Sequence, residues 1–175
     1  MIDLNNRDFN HIKVHTQYSI CEGAIKIDNL KEFCKINKIP CLGLSDTSNL
    51  CGALEFSENI SKVGTQPIIG TQIYFKFEDT KGLLPLIALN EKGYKKIIEL
   101  SSRSYLENDA LSNPHLDIKE LLSDMEGVLL LSGTIHGLFG KLFEKGRLDE
   151  IKKIYKKLSS KFDDNFYLEI QRHGD

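Results

Sequence analysis

Apolar residues along the chain follow two spacings, one typical of buried strands and the other of amphipathic helices. Short apolar runs predict strands, at residues 41–45, 68–77, 83–89, 128–131 and 166–170. Residues 11–16 are also predicted to form a short strand. Apolar residues three and four positions apart predict helices, at residues 28–36, 53–63, 90–105 and 118–125, and in a last segment that holds Ile151, Ile154, Tyr155 and Leu158. Because strands and helices alternate, the pattern predicts an α/β fold on a parallel sheet or barrel.

The apolar positions also predict which helix faces are buried. Asp28 is the expected N-cap of its helix, and the inward residues are expected to be Leu30, Phe33, Cys34, Leu54, Ile60, Tyr94, Ile97, Ile98 and Ser101. Gly70 is expected to interrupt its strand. Pro85 cannot donate a backbone hydrogen bond, so residues 83–89 are expected to form an edge strand or a bulge.

The last predicted strand ends at residue 170 of 175. A β/α domain normally continues with a helix after such a strand, so residues 1–175 are expected to be one domain that is incomplete at its C-terminus.

Amino-acid composition and net charge argue against some classes of function for this chain. Of 175 residues, 41% are hydrophobic, which predicts a folded core, and 23 basic against 25 acidic residues give a formal net charge of −2. A free-standing DNA-binding domain usually carries a basic excess, so we do not expect the chain to bind DNA alone. No secretory signal and no apolar run of membrane-spanning length is present in the sequence, which predicts no membrane partner and a cytoplasmic location.

The four cysteines, Cys21, Cys34, Cys41 and Cys51, include no C-x-x-C pair. Free thiols that pack as small apolar side chains are the favoured interpretation, and a zinc site is the alternative.

Polar residues follow the predicted strands, where the active face of an α/β barrel would lie. These positions are His15, residues 45–47, 71–72, 132–134 and 171–173. Any strand-to-loop transition would give the same pattern, so placement alone does not identify a site.

Two of these positions, His15 and Asp46, could also take part in metal binding or catalysis. His11 and His15 lie about 13 Å apart if they share a strand, too far for one metal ion, and Lys13 between them is a cation that repels metals. Asp46 is either a metal ligand or general base, or a residue that caps the turn and the following helix, and the capping role is favoured.

Other polar features have ordinary explanations. The lysines at positions 152, 153, 156 and 157 form one basic helix face that is expected to be solvated. His136 is expected on the surface near a helix start, and His115 in a loop without a partner. No acidic triad for two Mg²⁺ ions is evident, so the chain alone is not expected to polymerise DNA.

Six segments, in order, resemble the N-terminal PHP (polymerase and histidinol phosphatase) domains of bacterial DNA polymerase III alpha subunits. They are HIKVHTQYSICEGA (11–24), IPCLGLSDTSNLCGALEF (39–56), PIIGTQIY (67–74), NEKGYKKIIELSS (90–102), GVLLLSGT (127–134) and FYLEIQRHG (166–174). The resemblance implies a distorted (β/α)7 barrel, and in active relatives it implies a trinuclear metal centre that some use for 3′-5′ exonuclease proofreading.

Most of the metal-binding positions that the resemblance implies hold residues that do not bind metals here. Its His-x-His falls on Lys13 and His15, its next acid on Glu22, its Asp-His on Asp46 and Thr47, its third acid on Gln72, its cysteine on Thr134 and a later histidine on His173. Its final Asp-x-His would lie beyond Asp175. Three first-row ions need about nine donors, so too few remain.

The resemblance therefore implies a metal-free structural and docking domain without a cofactor of its own. It supports the rest of the polymerase III alpha chain, which uses Mg²⁺ and contacts DNA, and it binds the proofreading exonuclease subunit. The alternatives are a phosphoesterase or 3′-5′ exonuclease with a reduced metal site and an independent phosphatase. We further hypothesise that the ammonium group of Lys13 lies near Glu22 or Asp46, in the place of a metal cation.

Overall fold

A computed structural model describes residues 9–170, which contain six strands and five α-helices. The chain divides into two compact units between Thr71 and Gln72. None of the helices in the described range is both long and apolar enough to cross a membrane.

The first unit packs two helices on one short strand. Its elements are α1 (Ile27–Asn37), β1 (Cys41–Thr47), α2 (Ala53–Ser61) and the first residues of β2 (Gln66–Phe77), the strand next to β1. The core consists of Ile27, Leu30, Cys34, Leu42, Leu44, Ala53, Phe56 and Ile60. Leu54 is 72% exposed, so the inward face predicted for this helix is wrong at that position.

Residues 11–16 run alongside β1 rather than forming a full strand. The amide of Gly43 donates to His11 O at 2.7 Å, and the amides of Val14 and Ser45 continue this parallel pairing. The sequence thus predicted an extended segment at the right place.

The second unit holds the remainder of β2 together with β3 (Thr80–Ala88), α3 (Glu91–Leu106), β4 (Leu116–Asp117), β5 (Val128–Leu131), α4 (Leu138–Glu144), α5 (Leu148–Phe162) and β6 (Phe166–Tyr167). A 3₁₀ helix, Ile118–Leu122, stands where residues 118–125 predicted an α-helix, and α4 was not predicted. The strand at 166–170 is limited to two residues.

The sheet of this unit is mixed, which corrects the prediction of a parallel sheet. The strand order is β2-β3-β5-β6, with β4 paired to β2. β3 and β5 run antiparallel with Leu86 opposite Leu130, while β5–β6 and β2–β4 are parallel. The sheet is open, and the (β/α)7 barrel is not confirmed.

The interruption predicted at Gly70 and the edge position predicted for the strand that contains Pro85 are absent, while the alternative of a bulge at Pro85 stays a prediction. β2 runs unbroken through Gly70, and β3, which contains Pro85, lies between two other strands. Pro85 is tolerated there because the pairing of β3 with β5 begins only at Leu86.

Candidate functional site

The carboxylate of Asp46, near the end of β1, is the centre of a buried polar cluster in the first unit. Asp46 is 0% exposed. Its Oδ1 accepts hydrogen bonds from the Thr16 amide at 2.6 Å and from Ser19 Oγ at 2.7 Å, and its Oδ2 accepts one from Thr16 Oγ1 at 2.8 Å. Three donors therefore satisfy most of the acceptor capacity of one buried anion.

The pairing of residues 11–16 with β1 brings these donors to Asp46. Residues 16–23 then form tight turns, in which the Ser19 amide donates to Thr16 O and the Gly23 amide donates to Ser19 O. Position 23 needs glycine, because a Cβ there would lie 2.0 Å from Thr16 O. The loop thus presents one backbone and two side-chain donors to Asp46.

A second layer extends the cluster toward the surface. Ser19 Oγ, which donates to Asp46, also accepts a hydrogen bond from the Thr47 amide at 3.1 Å. Thr47 Oγ1 in turn donates to Oε2 of the exposed Glu22. Glu22 and Thr47, two positions singled out from the sequence, are therefore hydrogen-bonded to each other.

Loop residues 49–52 close the cluster on the α2 side. Asn49 Nδ2 donates to Tyr18 O and to Thr47 O, both at 2.9 Å. The Tyr18 hydroxyl donates to Glu55 Oε2 at 2.6 Å, and this hydrogen bond to a carboxylate raises the pKa of Tyr18 above its usual value. A Cβ at Gly52 would lie 2.7 Å from the Tyr18 ring, so glycine lets the ring approach the loop.

The structure corrects the favoured prediction for Asp46. Its carboxylate caps neither its own turn nor α2, because the N-cap of α2 is Gly52 and no side chain makes a capping hydrogen bond there. It is bound instead by a loop 27 to 30 residues earlier in the chain. Asn49 takes the local turn role, since its Oδ1 accepts from the Cys51 amide at 3.0 Å.

The two basic candidates of the first segment lie close to this cluster in sequence. Lys13 and His15 are both half-buried, and Ser19 Oγ lies 3.5 Å from His15 Nδ1. The hypothesis that Lys13 pairs with Glu22 or Asp46 stays a prediction.

The other candidates lie outside the first unit. Gln72 is buried in β2, and Thr134 is half-buried, with its Oγ1 accepting from the His136 amide at 3.2 Å. His173 lies outside the described residues.

Sequence reasoning missed Thr16 and Ser19, which hold the cluster together, and it named Thr71 only as a polar residue at a strand end, without a partner. The hydroxyl of Thr71 donates to Asp46 O at 2.6 Å and lies 3.0 Å from Asn49 O. Hydroxyl residues in turns are common, so only the tertiary pairing of residues 11–16 with β1 could identify these partners.

Outside the cluster, several polar predictions can be compared with the structure. His136 is exposed just before the start of α4, as predicted. His115 has partners, contrary to the prediction, since its Nδ1 lies 2.8 Å from Asn113 O and 3.3 Å from Lys81 Nζ.

The cysteines are all free, as favoured from the sequence, but they differ in burial. Cys34 is buried, which raises the pKa of its thiol, whereas Cys21 and Cys51 are exposed. The prediction of small apolar packing therefore holds for Cys34 and is wrong for the two exposed thiols.

The donors do not form a recognisable metal site. Between residues 9 and 170, no three histidine, cysteine, aspartate or glutamate side chains converge as ligands. The first-unit cluster consists mainly of hydroxyl and amide groups around Asp46, and such groups are poor ligands for zinc and other first-row metals. The donors that the described residues supply do not fit a trinuclear centre.

Comparison with known proteins identifies relatives over almost the whole chain. The family model described as "PHP domain" matches residues 11–173. DNA polymerase III subunit alpha of Caulobacter vibrioides is 37% identical over 183 residues, which cover 99% of this chain. The same subunit of Borreliella burgdorferi is 35% identical over 95% of the chain, and that of Vibrio cholerae is 30% identical over 98%.

These relatives are much longer proteins. The chain spans 16% of the Caulobacter protein and 15% of each of the other two. The similarity therefore concerns one part of the polymerase subunit.

Proposed function

Because the chain belongs to the PHP domain family, we propose that it acts as a metal-free structural and docking domain of a DNA polymerase III alpha subunit. In this role it supports the polymerase in chromosomal DNA replication and binds the proofreading exonuclease subunit. The cytoplasmic location, the distorted (β/α)7 barrel, and the Mg²⁺-dependent nucleotidyltransferase activity of the whole subunit are parts of the same proposal.

The observation that carries the metal-free role is the hydrogen bonding of Asp46. A carboxylate that serves a metal must keep lone pairs for it, whereas Asp46 accepts three hydrogen bonds of 2.6–2.8 Å from Thr16 and Ser19. A buried anion needs such compensation when no cation is present. The cluster can therefore maintain the fold without a metal.

The residues at the other family positions support the same conclusion. Thr47 and Thr134 are hydroxyls, Gln72 is an uncharged amide, and Lys13 is a cation. Thr47 is hydrogen-bonded to Glu22, so the one acid retained on this loop already has a protein partner.

Metal analysis tests the metal-free role. The purified chain, after dialysis against Zn²⁺, Mn²⁺ or Fe²⁺, is expected to retain far less than one equivalent by mass spectrometry, and to cleave no 3′ end in added Mn²⁺. One or more tightly held equivalents, with cleavage abolished by His15→Ala, would support the alternative of a phosphoesterase or exonuclease with a reduced site.

A complementary variant tests how far the site has diverged. The double substitution Lys13→His and Thr47→His restores two family ligands. Measurable metal affinity in this variant alone would show that the ancestral geometry survives. Metal binding by the unsubstituted chain at the same level would contradict the metal-free proposal.

The docking role has its own test. The 175-residue chain and the proofreading exonuclease subunit of the same organism are mixed and followed by calorimetry, with exonuclease activity on single-stranded DNA measured in parallel. We expect a saturable complex in which all exonuclease activity resides in the partner. Absence of binding to the chain, with binding to the complete alpha subunit, would place the docking surface elsewhere.

A further inference from the structure

An apolar groove lies between the 3₁₀ helix and α5, entirely within the second unit. Its volume is about 370 Å³, which is enough for one or two large side chains. The apolar lining comes from Phe77, Ile118, Leu122, Ile154 and Leu158. Ile118, Ile154 and Leu158 form its buried floor, while Leu122 is 39% exposed at the margin.

Lysines line both sides of this groove. Lys119 belongs to the 3₁₀ helix, and Lys153 and Lys157 belong to α5. The two α5 lysines are four residues apart, so they project from the same helix face about 6 Å from each other. None of these three ammonium groups forms an ion pair with an acid among residues 9–170.

The two acids that line the groove are already engaged. Glu78 is ion-paired with Arg147, which also binds Asp79 and Glu150. Asp117 accepts a hydrogen bond from the Lys119 amide at 2.8 Å. The lining therefore carries three lysines against two acids, and among the described residues only Glu78 of these acids has a cationic partner, Arg147. This leaves a small positive excess above an apolar floor, in a chain whose net charge is −2.

We propose that this groove binds a short acidic segment of another polypeptide, which inserts one bulky apolar side chain between the 3₁₀ helix and α5. Acidic residues on both sides of the inserted side chain pair with Lys119 on one wall and with Lys153 and Lys157 on the other. The groove lies apart from the Asp46 cluster in the chain, so this proposal does not depend on the metal-free role.

The residues that line the groove fit an acidic segment with an apolar side chain better than they fit a nucleic acid or an uncharged peptide. A nucleic acid backbone would use the lysines but has no apolar side chain for the floor. An uncharged apolar segment would fill the floor and leave three lysines without partners. Cationic walls with an apolar floor match a segment that combines both features, as charge complementarity and an apolar anchor do at other interfaces.

The probe is a fluorescein-labelled peptide, Glu-Asp-Leu-Phe-Glu-Glu, added to the ¹⁵N-labelled 175-residue chain. Amide shifts are expected at residues 117–122 and 153–158, and fluorescence anisotropy is expected to saturate at micromolar to millimolar peptide. Binding is expected to weaken with added salt. Two control peptides replace either the acids with Gln and Asn or the Leu-Phe pair with Ser-Ser, and both should bind at least about tenfold more weakly.

The matched variants lie on the same helix. Lys153→Glu with Lys157→Glu should weaken peptide binding by about tenfold or more, whereas Lys152→Glu with Lys156→Glu, which do not line the groove, should have little effect. Thermal melting checks that both variants are folded. The proposal is overturned by equal effects of the two pairs, by equal binding of the uncharged peptide, by displacement of the peptide by a single-stranded oligonucleotide, or by absence of shifts at millimolar peptide.

Discussion

At the scale of single residues, Asp46 is defined by what donates to it. One backbone amide and two hydroxyls from Thr16 and Ser19 converge on a carboxylate that is fully buried. Hydrogen bonds to an ionised acceptor are roughly twice as strong as neutral ones. The same side chain that could serve a metal therefore holds the loop at residues 16–19 against β1.

Replacing Asp46 by Asn should destabilise the chain. The substitution is nearly isosteric, but its amide NH₂ would face at least one of the three donors, and the anion that strengthens them would be lost. We expect a loss of about 3 kcal/mol in the free energy of unfolding, measured by urea denaturation. Asp109→Asn, on an exposed side chain, is the control and should change stability by less than about 0.5 kcal/mol. A similar small effect at both sites would contradict the structural role of Asp46.

The identity of Asp46 as a special residue could be predicted from the sequence, but its partners could not. An acid directly after an apolar strand is a visible signal, whereas Thr16 and Ser19 are ordinary turn residues until the loop is placed beside β1. Local capping was the simpler interpretation, because a contact across 30 residues leaves no spacing pattern.

At the scale of secondary-structure elements, the sequence predicted where helices and strands lie better than which way they face. Helix α3 was predicted at residues 90–105, which is close to its observed span. In the structure, Asn90 is its N-cap. Its buried residues are Gly93, Ile97, Leu100 and Ser104, and Ile98 is 40% exposed. The spacing of apolar residues fits two possible buried faces of this helix. Packing selects the face that contains Gly93, because the helix there approaches the chain so closely that a Cβ would lie 1.8 Å from Gly127 O.

The directions of the strands could not be predicted from the sequence pattern either. β2 and β3 are joined by only two residues, Glu78 and Asp79, which requires antiparallel neighbours. A hairpin is usually signalled by Asn-Gly or Asp-Gly in its turn. Glu-Asp carries no such signal, so the apolar runs alone favoured parallel strands.

The pairing of residues 11–16 with β1 depends on a glycine. A Cβ at Gly43 would lie 2.4 Å from Ile12 O and 2.5 Å from Ile12 Cα. Gly43→Ala should therefore separate the two segments and destabilise the chain by about 3 kcal/mol in urea denaturation. Gly64→Ala is the matched control, because its Cβ would meet nothing within 4 Å and only its positive φ of 81° is strained. That control should cost about 1 kcal/mol, and equal costs would argue against the close approach.

The turn between β2 and β3 should make stability depend on pH. The pKa of Asp79 is lowered from 3.8 to about 2, first by the hydrogen bond from Lys145 and then by that from Thr80. A group whose pKa is lower in the folded state stabilises the fold above its unfolded pKa, and this contribution is lost as pH falls toward the folded pKa.

Asp79→Asn tests this dependence. The stability difference between the unsubstituted chain and the variant should be constant above about pH 5 and should shrink between about pH 4 and pH 2, as followed by urea denaturation at each pH. Asp109→Asn, again the control, should show no such trend. A difference that stays constant down to pH 2 would contradict the ion pair with Lys145.

At the scale of the whole molecule, charge is balanced overall but uneven locally. The formal net charge is −2, yet α5 carries lysines at positions 152, 153, 156, 157 and 161. Such a surface favours local acidic partners over a general attraction to DNA, whose binding depends on many phosphate contacts. This charge distribution supports the acidic polypeptide segment proposed for the groove beside α5.

The chain alone should neither bind DNA tightly nor extend a primer. Nucleotidyl transfer needs acidic residues that hold two Mg²⁺ ions about 4 Å apart, and no such group of acids lies within residues 9–170. The chain also spans only 16% of the Caulobacter polymerase subunit. We therefore expect no nucleotide incorporation above background on a primed template with Mg²⁺ and all four deoxynucleotides.

The control for this assay is the complete Caulobacter alpha subunit, which its name as a DNA polymerase III subunit predicts to be active under the same conditions. A parallel gel-shift titration with single-stranded DNA at physiological salt should give no complex below about 100 µM chain, the weak end of non-specific binding. Incorporation by the isolated chain, or a tight complex that Lys153→Glu with Lys157→Glu abolishes, would mean that this domain handles DNA directly. In that case the lysines of α5 would serve nucleic acid rather than the acidic polypeptide segment proposed for the groove.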